Sequence, residues 1–216
     1  LEGAAVDPGG TPDYTIPMRN DLNDFRILPG QAYEDFFTGL VYSPPGQPYN
    51  VAPWNYTGTE GNGYDSGGDP NSGDAGYPSG VVDWVLVSLR ADIEGTGGPL
   101  CQAAALLHTD GSVEFIGEPL TCLCTLDGNS SYYLVIEHRN HLIVMSHEPV
   151  PIVNGVITYD FRSQQSYIDE FLIGIAEGQK EINAGVFAMI AGNSRQEPGP
   201  DDDTSIDVND QSKWGD

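Results

Sequence analysis

Val81-Val82-Asp83-Trp84-Val85-Leu86-Val87-Ser88-Leu89-Arg90 is the strongest strand signal in this chain of 216 residues. β-Branched and aromatic side chains fill it, and these fit a pleated, half-buried surface. Apolar residues run nearly without alternation, so both faces are expected to be covered over part of its length.

Working outward, further short apolar runs are separated by turn chemistry. Ala103 to His108 leads through Asp110-Gly111, a type I′ hairpin signal, into Ser112 to Ile116. Leu120 to Leu126 ends at Asp127-Gly128-Asn129. Tyr132 to Glu137 and His141 to Ser146 flank a tight corner, Val156 to Phe161 follows the Asn154-Gly155 turn, and Gly185 to Ala191 closes the set. Strands at this spacing predict an all-β protein, an antiparallel β-sandwich with long ordered loops. With 27 Gly and 16 Pro, long helices are not expected. Short helical pieces are expected at Tyr33 to Leu40, which has an amphipathic look, and at Ser163 to Phe171. Three regions result: a loop-rich segment packing on the core (1–80), the sandwich core (81–192) and an acidic appendage (193–216).

The chain carries 8 Lys+Arg against 32 Asp+Glu, a formal net charge of -24. Such a surface repels phosphate backbones and anionic lipid, which argues against nucleic acid and direct membrane insertion as partners. Asp exceeds Glu, 20 to 12, and Asp is both a loop residue and a calcium ligand. Calcium loading, adaptation to high salt and simple solubility compete as explanations of this charge. The start, Leu1-Glu2-Gly3-Ala4, reads as a processed terminus of a secreted protein, and no apolar run reaches membrane-spanning length.

Calcium is the expected cofactor. In Asp201 to Asp210, with Ile206 as the apolar pin of an EF-hand-like loop, Asp201, Asp203, Asp207 and Asp210 fall on ligand positions and Ser205 offers its carbonyl. Asn193 supplies the first ligand if Ser194 to Pro200 loops out, while Thr204 stands where the pattern has glycine. Asp65, Asp69, Asn71 and Asp74 form a second, looser candidate loop. Cys101, Cys122 and Cys124 are an odd set, so one bond from Cys101 to either of the others is expected. A zinc site from these cysteines and His108 is the alternative. His138-Arg139-Asn140-His141 is expected to be a structural corner with its two imidazoles pointing apart and bonded to backbone. No G-x-S-x-G elbow, HExxH motif or marked carboxylate pair is present, and no catalytic residues are assigned.

Several strings together resemble a C-terminal module of large secreted Bacteroidota surface proteins of the hemagglutinin-like or adhesin-like kind. They include Leu1-Glu2-Gly3-Ala4, Pro53-Trp54-Asn55-Tyr56, Val82 to Arg90 around Trp84, His138-Arg139-Asn140-His141-Leu142, Tyr159-Asp160-Phe161 and Ala191-Gly192-Asn193. The resemblance implies secretion across the outer membrane by the type IX route, a degenerate dockerin-like calcium loop near the C-terminus, and no catalytic activity. In the relatives the Leu-Glu-Gly-Ala segment lies within a first strand. A domain cut there leaves a sheet edge open to a neighbour's strand. The expected function is therefore a non-enzymatic extracellular structural protein, a calcium-stabilised subunit that assembles with itself into a surface filament or layer. The alternative is a calcium-dependent glycan-binding adhesin, with Trp54, Tyr56, Tyr64 and Tyr77 stacking on sugars.

Overall fold

A computed structural model describes residues 18–64, 76–95, 97–117, 121–122, 126–168 and 178–189. Within them a single helical turn, α1 (Asp21–Asp24), precedes eleven strands: β1 (Ala32–Asp35), β2 (Gly39–Tyr42), β3 (Val81–Arg90), β4 (Cys101–His108), β5 (Val113–Phe115), β6 (Thr121–Cys122), β7 (Ser131–His138), β8 (His141–Met145), β9 (Val150–Pro151), β10 (Gln179–Asn183) and β11 (Val186–Met189). All pairings between these strands are antiparallel. The main sheet has the order β5-β4-β3-β7-β8, with β6 added to β4 and β9 to β7. Two separate hairpins, β1–β2 and β10–β11, complete the set.

The strand read first from sequence is the central one, and it is buried on both faces as its composition requires. Val85 and Val87 point to a cluster with Ala105, Ile136, Val144, Phe161 and Met189. Trp84 and Leu86 point the other way, to Leu28, Tyr49, Tyr77, Ala104 and Leu106. A register shift between Val81 and Asp83 changes the phase of the strand, so Val81 joins the Trp84 face while Val82 packs against the other.

The loop-rich segment before β3 closes the Trp84 face. Trp84 Nε1 donates to the Tyr77 hydroxyl at 2.9 Å, and that hydroxyl donates to the Pro29 carbonyl at 2.8 Å. The Tyr49 hydroxyl donates to the Trp84 carbonyl at 2.7 Å and lies 3.3 Å from that of Glu137. It does so beyond the last β3–β7 pair, Leu86 with Glu137, where the ladder has opened. Asn20 and Asn23 fasten α1 to the carbonyls of Ser79 and Pro78.

Three local expectations are corrected. Tyr33 to Leu40 is a hairpin, not a helix: the Asp35 carboxylate accepts the amides of Phe37 and Thr38 and the Thr38 hydroxyl, and Gly39 takes φ 78. At Asp110-Gly111, Gly111 alone has a positive φ, 83, and its amide bonds to the His108 carbonyl. This is a type I turn ending in a left-handed glycine, not type I′. Asn154 and Gly155 do both have positive φ, but Val156 makes only an isolated bridge to Val153 and no strand continues to Phe161. The described residues show one large sheet with loops and hairpins packed on it, and they do not show a second facing sheet of comparable size.

Gly61 is the tightest approach of the covering loop. It has φ +76, and a Cβ there would lie 2.4 Å from the Trp84 ring, whereas a Cβ on Gly63 meets nothing within 4 Å. Gly61→Ala is expected to cost roughly 2–6 kcal/mol, because overpacking and left-handed strain each cost about 1–3 kcal/mol. Gly63→Ala is expected to be near neutral. Urea melts of the two variants beside the parent measure the contrast.

Candidate functional site

Two arrangements exceed what a plain sheet needs: a buried charge cluster at the β7–β8 corner, and an exposed aromatic hairpin beside a groove.

Asp83, in regular alternation with Val85 and Val87 just after the register shift in β3, lies in the interior with 1% of its surface exposed. Its Oδ1 accepts from the Trp84 amide at 2.8 Å and from Arg139 Nη2 at 2.5 Å. His138 Nε2 lies 3.1 Å from Oδ2, although Oδ2 has no well-aligned hydrogen bond. His138 Nδ1 accepts the Asn140 amide at 3.1 Å, which leaves the ring proton on Nε2, facing Asp83. His141 Nδ1 sits 2.9 Å from the same His138 nitrogen, so a proton on His141 Nδ1 shares that nitrogen's single lone pair with the Asn140 amide. Asp83, His138 and His141 thus form a line of polar groups, with the two rings edge to face at 4.6 Å.

The expectation that the imidazoles point apart is overturned. His138 and His141 are direct partners across a two-residue corner, and such partners project to the same face. Burial alone would raise the Asp83 carboxyl. The His138 ring, the Arg139 charge and the Trp84 amide outweigh burial and hold it below its usual range. Burial, with the neighbouring His138, pushes His141 down to about 4. Next to this cluster burial raises Glu137, partly offset by Arg90 and by Trp54.

The second arrangement lies in the segment covering the Trp84 face. Phe36 and Phe37 form the tip of the β1–β2 hairpin and are 93% and 90% exposed, with their rings edge to face at 5.2 Å. The Asp35 bonds fix the tip, and those same donors hold the Asp35 carboxyl below its usual range. The base is clamped as well. The Ser43 hydroxyl reaches the Leu28 and Gln31 carbonyls, and the buried Gln31 bridges the Leu28 amide and Asn23.

Beside the hairpin's base runs a groove of about 720 Å³, lined among others by Tyr56, Gly58, Asn62, Gly63, Tyr64 and Ile116. Its wall is tied to the same block, since Gln47 bonds the Glu60 and Gly58 carbonyls. Glu60 Oε1 accepts the Tyr56 hydroxyl at 2.6 Å and the Ala104 amide at 3.3 Å, filling the gap along β4 between β5 and β6.

Of the residues expected to form sites, Asn193, Asp201, Asp203, Ser205, Asp207 and Asp210 lie outside the described residues. So do Asp65, Asp69, Asn71 and Asp74. Cys101 is disulfide-bonded, and the strand position directly across from it is Cys122. The zinc alternative is overturned, because the Cys101 sulfur is committed and His108, at the far end of β4, meets Glu114 Oε2 at 2.8 Å. Of the four aromatics considered for sugar stacking, Tyr77 is buried, and Trp54, Tyr56 and Tyr64 are partly buried against the Trp84 cluster. Phe36 and Phe37 were missed. Their signal was the Asp-Phe-Phe-Thr-Gly string, which is turn chemistry around two adjacent aromatics.

No protein-family model matches the chain, and no curated protein or solved structure matches it either. No described helix is long and apolar enough to cross a membrane.

Because the fold holds His141 below its unfolded value near ~6.5, the unfolded chain takes up the additional proton as pH falls from there towards 4. Stability is therefore expected to drop through that window, by at most about 3 kcal/mol from this residue. The depressed Asp83 carboxyl adds a further loss at still lower pH. Thermal melts across pH 7 to 4 measure the slope, and His141→Gln is expected to flatten it; an unchanged slope would show that another group is responsible.

Proposed function

We propose that this chain is a non-catalytic structural subunit that assembles with its own copies into an extracellular filament or layer. The observation that carries this reading is the Phe36–Phe37 tip, two aromatic rings held rigidly in water on a clamped hairpin. A solvated surface gains nothing from such a display, whereas interfaces are enriched in aromatic anchors. Phe25, Ile27, Leu40, Tyr42 and Val51 are exposed in the same segment. With the two phenylalanines they make seven of the twelve exposed large apolar residues described. Exposed apolar surface of this kind is what contact sites are built from, and this segment carries most of it among the described residues.

The Cys101 disulfide supports an oxidising, extracellular setting, in line with the resemblance to secreted Bacteroidota surface modules. Inward-facing polar contacts around Asp83 favour a structural over a catalytic role for the His138–His141 corner. The adhesin alternative has less support, since Tyr77 is buried and Trp54, Tyr56 and Tyr64 keep only part of their surface, far less than Phe36 and Phe37.

Wild-type protein is expected to form species far larger than the monomer, seen by light scattering and electron microscopy as concentration rises. Phe36→Ser/Phe37→Ser should remain monomeric with an unchanged melting temperature. Wild-type protein that stays monomeric throughout, with calcium present and salt raised, would sink the assembly reading. Calcium, proposed for Asp201 to Asp210 on charge and spacing, is checked separately: chelation is expected to lower the melting temperature, as loss of any ligand bound only by the folded state must.

A further inference from the structure

Among the described residues nothing covers the rings of Phe36 and Phe37, which are 93% and 90% exposed, and this raises the question of what receives them. We infer that the groove between Tyr56 and Tyr64 is the acceptor for the Phe36–Phe37 tip of a second copy, so that copies join head to tail. This inference rests on the self-assembly reading and specifies its partner surface.

Charge is the first argument. Residues 36–64 contain a single carboxylate, Glu60, and no Lys, Arg or His, in a chain whose formal net charge is -24, with Asp35 and Glu114 only at the margins of tip and groove. That block carries both the tip and most of the groove. Glu60 itself is turned away from approaching chains, with Oε1 bonded to Tyr56 and Ala104 and Oε2 buried. Two copies of a strongly acidic protein repel least where both contacting surfaces are uncharged.

Chemistry and size are the second. The groove offers the rings of Tyr56 and Tyr64 and the side chain of Ile116, with Gly58 and Gly63 giving width. Tyr64 is already held by stacking on Tyr77 at 4.5 Å, so the aromatic wall is preformed. About 720 Å³ falls within the ~300–1,000 Å³ of clefts that enclose compact ligands. A T-shaped aromatic pair meeting further rings gains edge-to-face contacts beyond simple burial.

Rigidity is the third. Tip and groove belong to one clamped block: an added Cβ on Gly30, at the hairpin base, would lie 2.3 Å from the Tyr64 carbonyl, and one on Gly46 2.3 Å from Asn62 Oδ1. The tip is exposed in its own chain and so does not fill its own groove. A rigid donor and a separate rigid acceptor on one subunit define a heterologous contact. Such a contact repeats into an open filament unless its rotation closes a ring.

The test uses two full-length variants, Phe36→Ser/Phe37→Ser to remove the donor and Gly63→Gln to fill the acceptor. Gly63 tolerates a side chain in its own fold, and an unchanged melting temperature confirms this. Each variant alone is expected to lose every species larger than the monomer. Mixed, they should form a one-to-one heterodimer and nothing larger, because one intact tip and one intact groove remain. Gly63→Gln assembling like wild type while the phenylalanine variant does not would overturn the groove as acceptor and leave the hairpin as contact. Two silent variants that yield no heterodimer on mixing would also overturn the pairing. Assembly unaffected by either variant would overturn the hairpin reading with it.

Discussion

A buried indole has one N–H to satisfy, and the way Trp84 satisfies it organises half of this molecule. Tyr77 accepts from the indole and donates onward to the Pro29 carbonyl. Two loops distant in sequence are thereby bound to the central strand through one chain of hydrogen bonds. Tyr49 adds a third, reaching the Trp84 carbonyl from the same side. Without these bonds the covering segment would leave a buried donor unpaired, at a cost of about 1–3 kcal/mol, in addition to its lost apolar contacts. The hairpin and the groove are both built on this segment, so their fixed geometry derives from the indole beneath them.

One residue earlier, Asp83 faces the opposite side of the sheet. A carboxylate there is tolerable only because Arg139, the His138 ring and the Trp84 amide surround it. Removing one partner from such a buried set typically costs about 3–5 kcal/mol. The β7–β8 corner is thus locked to β3 by charge where the other face is locked by an indole. The two locks are adjacent in sequence because the strand alternates faces.

β3 was legible to the residue: its observed bounds, Val81 and Arg90, are those of the apolar run. Burial on both faces leaves no freedom in such a sequence. The Tyr33 to Leu40 segment was misread for the opposite reason. Its apolar residues at 33, 36, 37 and 40 follow a helical spacing, but Phe36, Phe37 and Leu40 reach no core and are exposed. Periodicity predicts structure only where a face is buried. With no burial, the Asp35 side chain takes the amides that a helix would have used. The histidine corner shows a different limit. A tight turn between His138 and His141 was legible, and its two-residue length already implied that both rings share a face. That they meet Asp83, 55 residues away in the case of His138, follows only from the pairing of β3 with β7, which the sequence does not display.

Charge placement connects the fold to assembly. A formal net charge of -24 opposes any close approach of two copies, and the repulsion extends about 8–10 Å at ordinary salt. An apolar contact can succeed on such a particle if the contacting element projects beyond the charged surface or lies in an uncharged zone. The tip of the β1–β2 hairpin, Phe36 to Thr38, is uncharged and exposed, and the adjoining Asp35 carboxylate is turned to three donors of the turn. Under the proposed self-assembly, charge elsewhere would suppress unspecific association and leave this one approach open.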